Sequence, residues 1–363
     1  SRRGACSQST PNSTSRAGCA TFSINFDGES YRLRTNLPTS LVVPGHPDFA
    51  VSSAIIADLE QRAGGQGRLA QEVPVLLRDV IDDVIQTPRT GRRSYHELEK
   101  TEKTYIGTRV EIMLRALLTL PRGRLDAIVA GHDTDIKHTM ENNWMIPGEA
   151  IGHPCILVAA DEDRARCHFG LVVARPEYLT TSANRDAKKS LSAAGFAHIR
   201  WVFSDHPYPP NFWRTIPAAS VERIVSGRTG NDRVVALFRE VQDVPIARET
   251  VEGVARQKDF MRRIRSDGGR GTRDVLAAEG ILLLSGKYDG PLIRVLGLPT
   301  GDFIAHTPTG EQELQAARAA GWRADRPVPV GAATRSPARG PGAVPCRSAA
   351  GALPRSGQGR GAK

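Results

Sequence analysis

The sequence lacks any long apolar run, and this absence excludes a membrane-spanning helix. Such a helix needs about 18 to 20 consecutive apolar residues, and no stretch of the 363 residues approaches that length. Arg2 and Arg3 are not followed by the apolar segment of a secretory signal, so we predict none. Apolar residues make up 40% of the chain and charged residues 24%, which is typical of a globular protein long enough for two domains.

Cysteine is also scarce and scattered. The five cysteines include no C-x-x-C pair, which argues against a disulfide framework and against a zinc ribbon. His153, Cys155, Cys167 and His168 could supply four zinc ligands, but they lie in apolar, β-branched stretches and match no common zinc motif. We interpret them as strand residues, and the cysteine usage favours a reducing, cytoplasmic compartment.

A basic central region is missing as well, although the formal net charge is +10. Residues 1–20 carry +3 and residues 323–363 carry +7, so residues 21–322 are neutral overall. The total charge therefore gives no evidence of nucleic-acid binding. Both ends have little apolar periodicity, and we predict a disordered lead-in over 1–40 and a disordered basic tail over 323–363.

Between these ends, the apolar periodicity predicts an α/β body. Helical patterns occur near 48–63, near 74–86 and from about 95 to 117, and Ser94 and Glu97 have the spacing of a capping box at the start of the third. Short apolar runs follow and predict five strands of one sheet, at 125–130, 133–138, 154–160, 167–174 and 199–203.

A smaller α+β body follows. The proline-rich segment 205–217 predicts a linker between a first domain at 41–204 and a second at 218–315. In the second domain the pattern predicts helices at 230–241 and 257–265 and a strand at 281–284.

The segment 125–137 places acidic residues and a lysine on one predicted strand face. If residues 131–132 form a hairpin turn, residue 130 pairs with 133 and residue 126 pairs with 137. Because side chains alternate along a strand, Asp126, Asp135 and Lys137 then share a face. Glu111, on the preceding helix, could lay its carboxylate against that face, so three carboxylates and one lysine would converge.

This grouping suits metal-dependent hydrolysis of a phosphodiester. Mg²⁺ prefers carboxylate oxygens and keeps several of its waters, and a lysine beside it can orient or deprotonate a water and balance negative charge. The same alternation of charged and apolar residues also occurs on the solvated face of an edge hairpin. The pattern alone leaves both interpretations open.

Several short blocks occur in one order over residues 50 to 310. The blocks are KTEKT at 100–104, GT at 107–108, VEI at 110–112, WMIP at 144–147, Glu149, IGH at 151–153, ANRD at 183–186, DFM at 259–261, GG at 268–269, EGI at 279–281 and LGLP at 296–299. Together they resemble the NaeI family of restriction endonucleases; no single block is specific, but their joint order is. Ile136 stands where the family has a small polar cysteine.

The resemblance implies a type IIE restriction endonuclease with a PD-(D/E)XK nuclease core and a winged-helix DNA-binding domain of the catabolite-activator type. It implies catalysis by Glu111, Asp126, Asp135 and Lys137, with the three acids as ligands of Mg²⁺. Cleavage of double-stranded DNA would leave 5′-phosphate and 3′-hydroxyl ends, at the palindrome GCCGGC, with two DNA sites engaged at once. Cutting both strands needs two nuclease sites, so we expect a homodimer. A cognate DNA methyltransferase is the expected functional partner.

Residues 256–273 carry a local charge of +5 and predict a DNA-binding surface. A helix containing Phe260 and Ile264, a turn at 266–269 and a second helix at 272–278 have the order of a helix–turn–helix, with a wing after it. The structural alternative is an amphipathic helix whose solvated face is rich in arginine. The predicted DNA-binding residues are Arg256, Lys258, Arg262, Arg263, Arg265, Arg270, Arg273 and, on the wing, Lys287.

Two other functions remain open at the level of sequence. One is a DNA-repair nuclease that uses the same core. The other is a winged-helix DNA-binding protein with a decayed nuclease domain, which the loss of a catalytic carboxylate would favour. None of the four candidate residues is missing.

Overall fold

The computed structural model describes residues 34–257 and 259–322, with the side chain of Arg263 also left out. These residues belong to one compact unit. Of the lead-in predicted to be disordered over 1–40, residues 1–33 lie outside the described residues, as does the predicted tail at 323–363. Residues 34–40 are described, and here the prediction was wrong, because Arg34 stacks over the Phe196 ring and Leu37 packs against the core that includes Phe196. In the part of the chain that is described, none of the helices combines the length and the apolarity that crossing a bilayer requires.

The first part of the chain forms helices followed by a mixed sheet. Its helices are α1 (Phe49–Ala63), α2 (Gln66–Ile85), α3 (Thr87–Thr90) and α4 (Lys100–Leu117), and its strands are β1 (Ala127–Val129), β2 (His132–Thr139), β3 (Met145–Ile146), β4 (Pro154–Asp161), β5 (Arg166–Val173), β6 (Lys189–Ser190) and β7 (Arg200–Pro207).

The five strands predicted from the apolar runs are confirmed as one sheet in the order β1-β2-β4-β5-β7. β2 and β4 are parallel, and the other neighbours are antiparallel. β1 and β3 are short, and β3 pairs with β6 apart from the main sheet. Because β1 pairs only with residues 132–134, the rest of β2 has β4 alone as its partner in the ladder.

Two apolar cores cover the two faces of this sheet. Along β4, Ile156, Val158 and Ala160 pack with the buried faces of α1, α2 and α4. The alternate residues Cys155 and Leu157 pack on the opposite face with a core that includes Trp144, Phe196 and Ile199. β4 is buried along its whole length, as is typical of a central strand.

Two helix starts differ from the prediction. α2 begins at Gln66, eight residues before the Pro74 at which the prediction began it, because Leu69 and Val73 extend its buried face toward the N-terminus. The long helix begins at Lys100, where Glu102 accepts the backbone N–H of Glu99 in a capping box. Ser94 instead caps a 3₁₀ turn at Tyr95–Glu97.

The second part of the chain packs short helices around a two-stranded antiparallel sheet. One core lies between this sheet and the helices within 230–278, and a second lies on its other side with the helices at 290–295 and 311–319. The helix predicted over 257–265 is shorter, and the one at 272–278 is confirmed. The elements are α5 (Ala218–Val225), α6 (Gly230–Glu240), α7 (Arg248–Ala255), α8 (Phe260–Ile264), α9 (Thr272–Ala278), β8 (Leu282–Ser285), α10 (Gly290–Val295), β9 (Phe303–His306) and α11 (Glu311–Ala319).

The segment predicted as a linker, 205–217, begins inside the first part of the structure. Residues 205–207 complete β7, and Tyr208 is buried in the helix-side core. Its hydroxyl donates a 2.7 Å hydrogen bond to Glu162, and both carboxylate oxygens of Glu162 lie 2.9 Å from Arg78 of α2. The proline-rich segment therefore put the end of the first domain too early in the sequence. Its first prolines do not start a linker, because Pro207 is the last residue of β7, a strand at the edge of the sheet.

The two parts of the chain touch through α3 and α7. The side-chain amide of Asn211 donates a 2.9 Å hydrogen bond to the Arg93 carbonyl, and the Arg93 guanidinium lies 5.8 Å from the centre of the Trp213 ring.

Candidate active site

The candidate catalytic residues lie on and beside the hairpin formed by β1 and β2. Its turn is Ala130 and Gly131, whose φ angles of 49° and 79° are positive, as type I′ turns require. Val129 therefore pairs with His132, two residues away from the predicted register. Because the shift is an even number of residues, each side chain keeps its predicted face.

Asp126, Asp135 and Lys137 are brought together by this hairpin. Lys137 Nζ lies 2.7 Å from Asp135 Oδ1 and 3.8 Å from Asp126 Oδ2. Asp126 precedes β1, and its Oδ2 accepts a 2.7 Å hydrogen bond from the Ile136 N–H. The Asp126 carboxylate thus satisfies a backbone donor of β2 that lies beyond the end of β1.

Glu111 approaches from α4, which packs against β2 through buried residues such as Val110 and Leu114. Its Oε1 lies 3.3 Å from Arg115 Nη2. Burial and the nearby charge of Asp126 raise the pKa of the Glu111 carboxyl. The charge of Asp126 thus acts on Glu111. The described residues, however, contain no group of three or more His, Cys, Asp or Glu side chains arranged to hold a metal ion.

Burial and the neighbouring charges shift the pKa values of Asp135 and Lys137, the ion pair on β2. Burial raises the pKa of Asp135 to about 6, while Lys137 opposes this shift and Asp126 adds to it. Burial alone would lower the pKa of Lys137, but Asp135 and Asp126 together raise it. At neutral pH the ammonium is therefore charged, and it neutralises part of the field of the two aspartates.

Cys155 lies beside Asp135 on β4, with its Sγ 3.9 Å from Asp135 Oδ2. Burial, followed by the charge of Asp135, raises the pKa of its thiol. A neutral, buried thiol is a packing residue rather than a nucleophile or a metal ligand. Cys155 and Cys167 are both buried strand residues, as the sequence predicted.

Asp133 lies on the same face of β2 as Asp135, but the predicted site did not include it. Asp133 Oδ1 accepts a 2.9 Å hydrogen bond from the Leu125 N–H, and its Oδ2 lies 3.2 Å from Arg124 Nε. Arg124 Nη2 in turn lies 2.9 Å from His153 Nε2. The signal in the sequence is the spacing, because Asp133 is two residues before Asp135 and must share its face.

The predicted DNA-binding segment forms α8, a turn and α9. One Asp274 oxygen accepts the backbone N–H groups of Asp267 at 2.6 Å, Gly269 at 3.1 Å and Gly271 at 3.3 Å. These donors lower the pKa of Asp274, so it stays anionic and fixes the path of the turn.

The arginines of this segment divide into exposed and internally bonded groups. Arg262, Arg265 and Arg270 are exposed, and within the described ranges none of them pairs with a carboxylate. Arg273, one of the predicted DNA-binding residues, instead donates a 3.0 Å hydrogen bond to the Leu283 carbonyl. It also lies 3.5 Å from Asp289 and stacks over Trp322, so it holds its own domain together.

The remaining predicted DNA-binding residues lie at the edges of this segment. Arg256 is exposed at the C-terminal end of α7. Lys287 is exposed after β8, with its ammonium 5.3 Å from the centre of the exposed Tyr288 ring. Lys258 and the Arg263 side chain lie outside the described residues.

Comparison with known proteins gives two matches. A sequence model of a family described as restriction endonuclease NaeI matches residues 56–296, a span that includes the four candidate catalytic residues and the arginine-rich segment. The type II restriction enzyme NaeI of Lentzea aerocolonigenes is 37% identical over 234 residues, which cover 62% of this chain and 73% of that enzyme.

Proposed function

The chain belongs to the NaeI family of restriction endonucleases and is a type II site-specific deoxyribonuclease; we propose that Glu111, Asp126, Asp135 and Lys137 form its catalytic site. The observation that carries the proposal is the Lys137 ammonium held between two aspartates, 2.7 Å from Asp135 and 3.8 Å from Asp126. The Asp135 side chain is only 5% exposed, whereas carboxylates on the solvated face of an edge hairpin stay in water.

Type II restriction enzymes generally use a divalent metal ion, and the donor set here fits Mg²⁺. Glu111, Asp126 and Asp135 offer carboxylate oxygens, the ligands that Mg²⁺ prefers. Burial and repulsion from Asp126 raise the pKa values of Glu111 and Asp135, and such acids gain most when a cation neutralises them. When bound, Mg²⁺ would offset charge on the phosphate and lower the pKa of a bound water.

Lys137 acts as a charged donor in this proposal. Asp135 and Asp126 raise its pKa, so its ammonium is charged at neutral pH. Its ammonium can donate to a phosphate oxygen or to the attacking water. The two aspartates fix its position, and Asp126 is itself fixed by the Ile136 N–H.

The domain assignment is part of the same proposal. We assign residues 41–204, extended by the end of β7, to a PD-(D/E)XK nuclease core, and residues 218–315 to a winged-helix DNA-binding domain. In the second domain, α8 and α9 would form the helix–turn–helix and β8 and β9 the wing. The exposed Arg262, Arg265 and Arg270 support this assignment, because unpaired surface arginines are suited to phosphate contacts.

The finer properties rest on the family alone. They are cleavage at GCCGGC to 5′-phosphate and 3′-hydroxyl ends, engagement of two DNA sites, a homodimer and a cognate methyltransferase. A DNA-repair nuclease with the same core is disfavoured, because both matches are to restriction enzymes.

The first test is cleavage of supercoiled plasmids with two, one or no GCCGGC sites, in the presence of Mg²⁺. We expect discrete fragments from the two-site plasmid, slower cutting of the one-site plasmid and none of the third. Cutting at other fixed sequences would retain the nuclease and reject GCCGGC. Equal rates on one and two sites would reject two-site engagement.

Asp135→Ala tests the catalytic assignment. We expect it to lower the cleavage rate by ~10² to 10³-fold or more, because the cation that would offset the developing charge loses a ligand. Specific DNA binding in a gel-shift assay should be retained. Cleavage at the wild-type rate would show that the active site lies elsewhere.

A further inference from the structure

Asp126 is carried by a short, closed loop between α4 and β1. The loop is closed at its base, where the Ile128 N–H donates a 2.8 Å hydrogen bond to the Pro121 carbonyl. The two residues before Asp126 are both bound to Asp133, Leu125 through its backbone N–H at 2.9 Å and Arg124 through its Nε at 3.2 Å. The Asp133 carboxylate therefore holds the loop from β2.

The loop fits closely around this carboxylate. A Cβ atom added to Gly123 would overlap Asp133 Oδ1 and would lie 3.0 Å from the carbonyl of Ala127. A side chain at position 123 thus requires either the loop or the carboxylate to move.

We propose that Asp133 is a positioning residue that holds the Asp126 carboxylate in the place where it meets Lys137 and a divalent cation. The inference rests on the proposed function of Asp126. Only the two backbone dihedrals of Leu125 separate its fixed N–H from the Asp126 Cα. The hydrogen bond from the Ile128 N–H to the Pro121 carbonyl restrains the chain on the other side of Asp126. In other metal sites, removing a residue that supports a metal ligand typically costs about 10- to 100-fold in metal affinity or activity.

Asp58 provides a matched control at the other end of the same hairpin. Its Oδ2 accepts the Ala130 N–H at 2.9 Å, and it pairs with Arg62 at 2.9 Å. The exposed fraction of its side chain is 21%, against 18% for Asp133. Each aspartate accepts one backbone N–H and pairs with one arginine, but only Asp133 binds the loop that carries Asp126.

The test compares the full chain with its Asp133→Ala, Asp133→Asn, Gly123→Ala and Asp58→Ala variants. One readout is the Mg²⁺ concentration that gives half-maximal cleavage of a two-site plasmid. The other needs no cleavage: free Mn²⁺ is measured by electron paramagnetic resonance as the DNA-free protein is titrated. Circular dichroism melting of each variant reports the loss of stability.

We expect Asp133→Ala and Gly123→Ala to weaken Mn²⁺ binding and to raise the required Mg²⁺ concentration by ~10 to 100-fold. Asp133→Asn keeps an oxygen for the Leu125 N–H and should recover most of the loss. Asp58→Ala should lower the melting temperature as Asp133→Ala does, yet bind Mn²⁺ like the wild type.

Wild-type Mn²⁺ binding in Asp133→Ala, or an equal loss in Asp58→Ala, would overturn the positioning role while leaving the nuclease proposal intact. If Asp133→Ala fails to fold, Gly123→Ala decides in the same way, because it disturbs the same loop while keeping the carboxylate. A wild type that neither cleaves DNA nor binds Mn²⁺ would refute the proposed function, and the role of Asp133 would be refuted with it.

Discussion

Asp135 is a carboxylate withdrawn from water between a lysine and a second aspartate, and this placement brings its titration close to neutrality. Burial raises its pKa to about 6, so the folded protein retains a proton there at pH values where an exposed aspartate has lost it. A protonated Asp135 neither attracts Lys137 nor binds a cation.

We therefore expect the cleavage rate at low Mg²⁺ to fall as the pH falls through about 6. Because cation binding competes with the proton, raising the Mg²⁺ concentration should move this midpoint to lower pH. The measurement is the single-turnover cleavage rate between pH 5 and pH 8 at two Mg²⁺ concentrations. A midpoint that ignores Mg²⁺ would show that another group controls the profile.

The sequence was sufficient to select Asp126, Asp135 and Lys137, because alternation along a strand fixes which side chains share a face. It gave the wrong register because Ala130 adopts a left-handed conformation that is uncommon for alanine. It missed Asp133 because the partner of that side chain is a backbone N–H, and a loop's backbone direction is not written in residue types.

At the scale of elements, the contact between α3 and α7 depends on a glycine. A Cβ at Gly253 would lie 2.9 Å from Thr87 Cγ2 and 3.3 Å from Pro88 N, so α7 approaches α3 more closely than a side chain allows. Gly107, in the middle of α4, has open space at the same position.

Alanine at these two glycines should have opposite effects on stability. We expect Gly253→Ala to lower the free energy of unfolding by about 1 to 3 kcal/mol through overpacking. Gly107→Ala should raise it by about 0.5 to 1 kcal/mol, because alanine favours helix. Urea unfolding of both variants checks this, and a neutral Gly253→Ala would mean that α7 and α3 separate at little cost.

The exposed arginines around α8 and α9 make a separate prediction. Arg262→Ala and Arg265→Ala should each reduce the slope of log Kd against log salt by about 0.9, the value for one phosphate contact. Arg223→Ala is the matched control, because Arg223 is 57% exposed but pairs with Glu240 at 2.6 Å. DNA-binding titrations at several salt concentrations decide, and an unchanged slope in Arg262→Ala and Arg265→Ala would remove them from the interface.

Helices and strands were predicted correctly where burial imposes an apolar periodicity on the sequence. Their terminal residues were predicted wrongly where local capping interactions decide them. The five strands follow from continuous apolar runs such as 154–161. The start of α4 does not, because both Ser94 and Glu99 offer a cap and only the packing of the chain decides which one opens the long helix. Pro74 looked like a helix start, since proline is favoured in the first turn, yet α2 runs through it.

At the scale of the whole molecule, the sheet and the core of the first part of the chain need a few residues beyond the predicted domain boundary at 204. Residues 205–207 finish β7, and Tyr208 fills the helix-side core while its hydroxyl bonds to Glu162. Glu162 and Arg78 are both buried, so losing one of their partners leaves buried charge less well satisfied.

We expect a chain that ends after residue 204 to fail to fold, and one that ends after residue 217 to keep the melting transition of the first part. Tyr208→Phe in the full chain removes only the hydroxyl and should cost about 1 to 2 kcal/mol. Soluble yield and thermal melting compare the three proteins with the wild type. Equal stability of the two truncated chains would show that β7 ends functionally at 204.

The same strand end has a consequence for the protein during its synthesis. Lys137, the last candidate catalytic residue, precedes Tyr208 by 71 residues, which ribosomes translate in about 4 to 14 s at 5 to 20 residues per second. Throughout that interval the nascent chain already carries every candidate catalytic group, but β4, β5 and Glu162 are made only within it, and β7 is completed at its end. The nascent chain thus contains all the candidate catalytic residues before it can form the whole sheet and core. Only after residue 208 has been translated can the first part of the chain fold completely.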